Sequence, residues 1–236
     1  GDHRDLHLSL RRQRQMCIRD RVTAIYNMIK AKIISYVNGV VGAGKESVIF
    51  WAVSSENQDI ALKVYLTSSS SFKKRSHYIL GDPRFSRIKK GTKNLVYLWA
   101  EKEYRNLVHC FKIGLPVVEP IYVKKNVLAL DFVGDNGVPA KTLIESQVDE
   151  KDYKAAIILI EQLYKKAHLV HCDFSEFNIF KTKKGLILFD LGSAVDHQHP
   201  QAEEFLKRDI NNITNFFVKR GLTVENPIDV FDKVIK

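Results

Sequence analysis

Asp173 and Asn178 stand five residues apart in His171-Cys-Asp173-Phe-Ser-Glu-Phe-Asn178, and Asp190 follows twelve residues later at the end of the apolar run Leu186-Ile-Leu-Phe189. A carboxylate at the first position can orient an attacking hydroxyl and take its proton. An amide oxygen at the second can hold a metal ion without adding full negative charge. An aspartate ending a strand, followed by Leu191-Gly192, can bind a divalent metal that bridges phosphates. Each alone is a polar loop residue beside a turn; the spacing and the hairpin context together point to phosphoryl transfer.

The Asp173 to Asn178 interval is that of a kinase catalytic loop, and the first half of the chain offers matching parts. Gly42-Ala-Gly44-Lys45-Glu46-Ser47 follows a strand-like run. Gly39 and Gly44-Lys45 have the spacing of a Walker A loop, but Glu46 takes the Ser/Thr position. The β-branched and aromatic run Val48 to Val53 predicts a strand where that loop needs a helix. A glycine turn between two strands, with Gly44 and Lys45 over the phosphates of ATP, fits better. Lys63 lies on the next predicted strand, placed for the α- and β-phosphates. Glu103 on the following helix is its expected partner, with Glu101 as the alternative. Val127 to Val133 reads as the hinge, offering backbone groups of Asp131 and Val133 to adenine.

The elements that must position these residues are legible from period. Ala24, Ile25, Met28, Ile29 and Ile33 predict a short amphipathic helix. Strands are expected over 34–41, 47–53 and 60–65, a mobile polar loop over 68–91, and a helix over 93–112 with Val96, Trp99, Glu103 and Leu107 on one stripe. Two strands should flank Lys124-Lys125-Asn126. Beyond Asp135-Asn-Gly137 the pattern turns helical: helices over 153–167 and 202–219, with short strands at 178–180 and 186–189 around the turn before Gly185. The expected fold is α+β and two-lobed: a β-rich N-lobe with one main helix over 22–133 and a reduced helical C-lobe over 134–236.

Thirty-seven Lys+Arg against 27 Asp+Glu give a formal charge of +10, which suits a polyanionic neighbour, RNA before a membrane. Neither a membrane nor DNA is an expected partner. Cys17, Cys110 and Cys172 form no C-x-x-C pair, which argues against a disulfide framework or zinc site and for a reducing, cytoplasmic location. Residues 1–21 carry six arginines and no clear period, and Arg14 to Arg21 resembles translated sequencing-adapter read-through. That segment is read as a non-native or disordered extension. His197 and His199 beside Asp196 read as structural rather than as metal ligands.

Together these motifs resemble the RIO-type atypical serine protein kinases, closest to the first branch of that family. The branch's nucleotide loop is similar to Gly42-Ala-Gly44-Lys45-Glu46-Ser47-Val48-Ile49-Phe50. Its flexible loop is similar to Thr67 through Arg75 with Tyr78, Arg84 and Phe85, its helix to Trp99-Ala-Glu-Lys-Glu103-Tyr-Arg-Asn-Leu107, and its tail to His197 through Asp209. Ser47-Val48 replaces Ala-Asn, Asp131 replaces a hinge glutamate, and Asp190-Leu-Gly-Ser replaces Asp-Val-Ser-Gln. The resemblance implies a kinase-like fold using ATP and Mg2+, with Asp173 and Asp190 catalytic, Asn178 and Asp190 on the metal, and a pre-ribosomal small subunit (protein and rRNA) as partner. It also implies a phospho-aspartate at Asp190. The 46 residues after Asp190 suggest a reduced peptide-docking surface. Two other readings stand beside it: a non-catalytic nucleotide-switched assembly factor on pre-ribosomal RNA, and the small kinase of the tRNA-modifying KEOPS assembly.

Overall fold

The computed structural model describes residues 22–66, 78 and 92–236; the 1–21 extension and, apart from Tyr78, the polar loop expected over 68–91 lie outside the described residues. Helix α1 spans residues 22–30. Its Ala24 and Met28, one turn apart, are buried with Ile34, Leu62, Val64, Val127 and Ala129.

A five-stranded antiparallel sheet follows, formed by β1 (Tyr36–Ala43), β2 (Ser47–Val53), β3 (Asp59–Tyr65), β4 (Pro120–Lys124) and β5 (Val127–Asp131) in the order β1-β2-β3-β5-β4. Strand β3 is central, pairing Lys63 with Ile49 on one side and Leu128 on the other. Its period of two divides its side chains. Ile60, Leu62 and Val64 join the α1 cluster, while Ala61 and Tyr65 face the larger core that includes helix α2 (Thr92–Lys112). Lys63 shares that second face. The predicted stripe of α2 is buried throughout: Val96, Trp99, Glu103 and Leu107. The helix stops at Gly114, whose φ of 78° few other residues adopt, and Leu115 N–H closes the turn on Cys110 C=O.

Beyond β5, strands β6 (Gly134–Asp135) and β7 (Val138–Pro139) form a two-residue hairpin over Asn136 and Gly137, both at positive φ. A Cβ on Gly137 would lie 2.4 Å from the Trp51 ring, so the turn can sit on that ring only with glycine there. Asp59 ties the contact together, accepting from Trp51 Nε1 at 2.8 Å and from Asn136 N–H at 3.1 Å.

The second half contains a 3-10 turn (Leu143–Glu145), α3 (Glu150–Lys165), β8 (Leu169–Val170), β9 (Ile179–Thr182), β10 (Gly185–Leu188), β11 (Val195–Asp196), α4 (Ala202–Lys219) and α5 (Pro227–Ile235). A reciprocal capping box starts α3: Asp149 accepts from Asp152 N–H, and the Asp152 side chain accepts from Asp149 N–H. Strand β9 pairs with β10 and β8 with β11, each antiparallel, so two small ladders frame the segment from 171 to 178. One large apolar cluster runs from Trp99 and Leu107 on α2 through Leu128 and Leu130 to Leu159, Leu163, Leu206 and Phe217. Sheet and helices therefore share a core on the α2 side. The architecture is a kinase-like α+β fold with a β-sheet N-lobe. Among the described residues no helix is long and apolar enough to cross a membrane.

Candidate active site

Lys63 projects from the middle of β3 into the space between sheet and helices. Its Nζ lies 2.8 and 3.0 Å from the two Glu103 carboxylate oxygens and 3.0 Å from Asp190 Oδ2. The Tyr65 hydroxyl, two residues along the same strand face, donates to Glu103 Oε2. Glu101 instead pairs with Arg105 at 2.9 Å on an exposed face, so α2 turns Glu103, not Glu101, toward the lysine. Glu103 is fully buried, and burial pushes its carboxyl up to about 7 against the pull of Lys63. Burial also works against charge on Lys63, but Asp190 and Glu103 outweigh it and hold the ammonium above the ordinary lysine range. The cluster is thus a cation held between two carboxylates, one sealed and one facing the cleft: the Asp190 side chain keeps 35% exposure.

Asp190 and Asn178 come together through the β9–β10 hairpin. Ile179 pairs with Leu188, and at the next step Phe189 N–H donates to Asn178 C=O at 3.0 Å, so the chain leaves the ladder with Asn178 and Asp190 at its open end. Asp190 takes φ of 63°, a left-handed conformation that aspartate tolerates better than most residues. Among the described residues no three His, Cys, Asp or Glu side chains converge on one point. One carboxylate and one amide, completed by water and phosphate oxygens, suit Mg2+, which keeps much of its hydration. His197 packs on His168 and Tyr164, and the buried His199 on Phe205.

Asp173 is exposed, and its position is set by its neighbours. Asp209 on α4 accepts from Cys172 N–H at 2.7 Å and from Phe174 N–H at 3.0 Å, the two amides flanking Asp173. Arg208 donates to the Cys172 carbonyl. Asp173 N–H itself donates to His171 Nδ1 at 3.2 Å, and Asn178 Nδ2 donates to Asp173 C=O at 2.8 Å. Cys172, at φ of 66°, makes the sharp bend that turns Asp173 outward. Burial pushes Asp209 up to about 7 despite its two amide donors, and pushes His171 down to about 4, keeping the imidazole neutral. The sequence reading missed Asp209 and His171 as supports. The available signal was an aspartate on the apolar stripe of a helix, between Leu206 and Ile210.

Gly44 and Lys45 occupy the exposed tip of the β1–β2 turn, closed by Gly44 N–H on Ser47 C=O at 2.9 Å. A strand follows it, as the β-branched run requires. In the expected hinge, Asp131 N–H donates to Glu119 C=O, and Val133 C=O accepts from Ala140 N–H. These bonds take two of the four backbone groups assigned to adenine. Burial also raises the Asp131 carboxyl above its usual range.

Comparison with known proteins converges on one family. The RIO domain profile matches residues 48–229. The chain is 33% identical over 217 residues to the serine/threonine-protein kinase RIO1 of Caenorhabditis elegans (89% of this chain, 43% of the relative) and 34% identical over 216 residues to that of Homo sapiens (89% and 38%). The RIO-type serine/threonine-protein kinase Rio1 of Haloferax volcanii is 36% identical over 201 residues (84% and 69%). The chain thus spans about two-fifths of the length of the first two relatives. Among solved structures, the Rio2 kinase of Chaetomium thermophilum in its ADP/Mg2+-phosphoaspartate complex matches with a TM-score of 0.67 and 25% identity, covering 89% of this chain and 64% of that one.

Proposed function

The chain belongs to the RIO domain family, and we propose that it is a Mg2+- and ATP-dependent serine/threonine protein kinase or ATPase acting in maturation of the small ribosomal subunit. The observation that carries the reading is Lys63 closed between Glu103 and Asp190, with Asp173 presented outward from a loop clamped on both sides. Lys63 holds the α- and β-phosphates, and Glu103 fixes its direction. Gly44 and Lys45 cover the phosphates, while the Asp131 carbonyl and Val133 amide receive adenine. Asn178 and Asp190 would hold Mg2+, which neutralises charge building on the phosphates. Asp173 takes the proton from the attacking hydroxyl.

The acceptor in this reading is a substrate serine hydroxyl or Asp190 itself. The phosphoaspartate in the similar Rio2 structure supports the second, as does the cleft-facing exposure of Asp190. In that course an Asp190 oxygen forms a bond to the γ-phosphorus as the bond to the bridging oxygen breaks and ADP leaves. Water then attacks the phosphorus, Asp173 takes its proton, and phosphate departs with the carboxylate restored. Label from γ-labelled ATP should be hydroxylamine-labile and absent from Asp190→Ala; hydroxylamine-stable label on serine would assign transfer to a hydroxyl instead.

The ribosomal role rests on the family resemblance and the excess of positive charge, which persists without residues 1–21 and suits rRNA. Single-turnover ATP hydrolysis with and without small-subunit precursors tests it. Stimulation by the precursor supports the role, and equal rates with precursor and with unrelated RNA contradict it.

A further inference from the structure

Helix α2 carries a second buried charge that the phosphate-binding reading does not use. Lys102 is fully buried. Its Nζ donates to Gly192 C=O at 2.8 Å and to Ala194 C=O, and lies 5.5 Å from the centre of the Trp99 ring. One turn on, Asn106 Nδ2 donates to Leu191 C=O at 2.8 Å and to Ala194 C=O at 3.2 Å. Burying an ammonium is costly, and an apolar side chain would fill the same space without desolvating a charge. These carbonyls belong to residues 191–194, directly after Asp190. Close packing completes the grip: a Cβ on Gly192 would lie 2.6 Å from Trp99 Nε1 and 3.1 Å from Glu103 Oε2.

Glu103 stands between the two gripping residues, and its carboxylate, close beside Gly192, bonds Lys63. One rigid helix therefore holds the partner of the phosphate-binding lysine and the backbone that aims the metal aspartate. We propose that Lys102 and Asn106 are positioning residues for Asp190, locking the Leu191–Ala194 loop to α2 so that the carboxylate meets Mg2+ in one geometry and moves only when α2 moves. Lys102 acts through two carbonyls, those of Gly192 and Ala194, and Asn106 through those of Leu191 and Ala194. The proposal rests on the assignment of Asp190 to Mg2+.

The test uses Lys102→Met, which keeps length and loses the donors, Lys102→Arg, which restores donors, and Asn106→Ala. Supports of this kind typically change metal affinity or activity by roughly 10- to 100-fold. Lys102→Met should raise the Mg2+ concentration for half-maximal turnover at saturating ATP by about tenfold, with KM for ATP little changed because Lys63 and Glu103 remain. Lys102→Arg should recover part of the loss. Asn106→Ala should shift the Mg2+ dependence in the same direction but less, and serves if Lys102→Met does not fold. Amide hydrogen exchange over residues 191–195 should rise in both weakened variants, independently of turnover. A lower melting temperature with unchanged Mg2+ dependence and unchanged exchange per folded molecule would show Lys102 to be structural only, leaving the kinase reading intact. Wild-type protein that neither binds nor turns over Mg·ATP would sink that reading, while the exchange result would still decide the tether.

Discussion

The two sides of the cleft are built on opposite plans. On the sheet side the working groups hold one another: Lys63 and Tyr65 join Glu103 side chain to side chain, and Lys63 also reaches Asp190 at the end of the β9–β10 hairpin, with Lys63 and Glu103 sealed from water. On the helical side Asp173 is left exposed, and the contacts that place it run through backbone amides and carbonyls gripped by Asp209, Arg208, His171 and Asn178. The difference follows from the work. In the proposed reading, a cation that binds phosphate must be aimed before ATP arrives, and burial between carboxylates aims it. In the same reading, a group that exchanges a proton with an incoming hydroxyl must face the cleft, and the clamped backbone on both sides of Asp173 presents it there.

The contrast breaks most visibly at Asp209. Asp209→Leu removes the acceptor of two buried amides, each costing about 1–3 kcal/mol when left unpaired, so unfolding free energy should fall by about 3 kcal/mol. Denaturant unfolding measures this. Turnover should fall with it, while ATP affinity of the remaining folded protein should persist, since Lys63 and Glu103 are not touched. An equal loss of affinity would show that the two sides are not separately built.

Smaller is the expected pH effect of His171. Its folded pKa is depressed to about 4 from an ordinary 6.5, so its contribution is present above pH 6.5 and lost as pH falls toward 4. Between pH 7 and 5 the native state refuses a proton that the unfolded chain takes, worth about 2 kcal/mol. Glu103 and Asp209, both raised to about 7, act in the opposite sense over the same range. The difference between wild type and His171→Gln isolates the histidine: the stability advantage of the variant should grow as pH falls. A pH-independent difference would place the histidine's proton elsewhere.

Smallest is the effect at Tyr65. Tyr65→Phe removes one donor to Glu103 and leaves both Lys63 bonds, so stability should fall by about 1 kcal/mol and KM for ATP should rise less than in any Lys63 variant. A KM as high as that of Lys63→Met would make the phenol an equal partner in aiming the lysine.

The sequence made the sheet and the candidate site residues visible for a physical reason: their signals are local. A five-residue interval, a strand-terminal aspartate and a lysine within a β-branched run are each read in a short window, and the start and end of α4 follow from Pro200 and the apolar period. Asp209 and Lys102 were not legible as supports because their partners lie 35 to 37 and 90 to 92 residues away, and only the folded chain brings them together. Helix α5 is different. Asn226 caps it, Pro227 opens it, and Val230, Phe231 and Val234 form its buried face, so a start signal and an apolar period were present but not used.

In the proposed site Lys63 binds and Asp173 reacts, and one paired measurement reaches both: ATP affinity and single-turnover rate for Lys63→Met and Asp173→Asn against wild type, at saturating Mg2+. Lys63→Met should weaken ATP binding or its alignment. Asp173→Asn should bind ATP as wild type does and lose turnover by roughly 10²- to 10⁴-fold, the range for removing a general base. Wild-type turnover in Asp173→Asn would contradict the account.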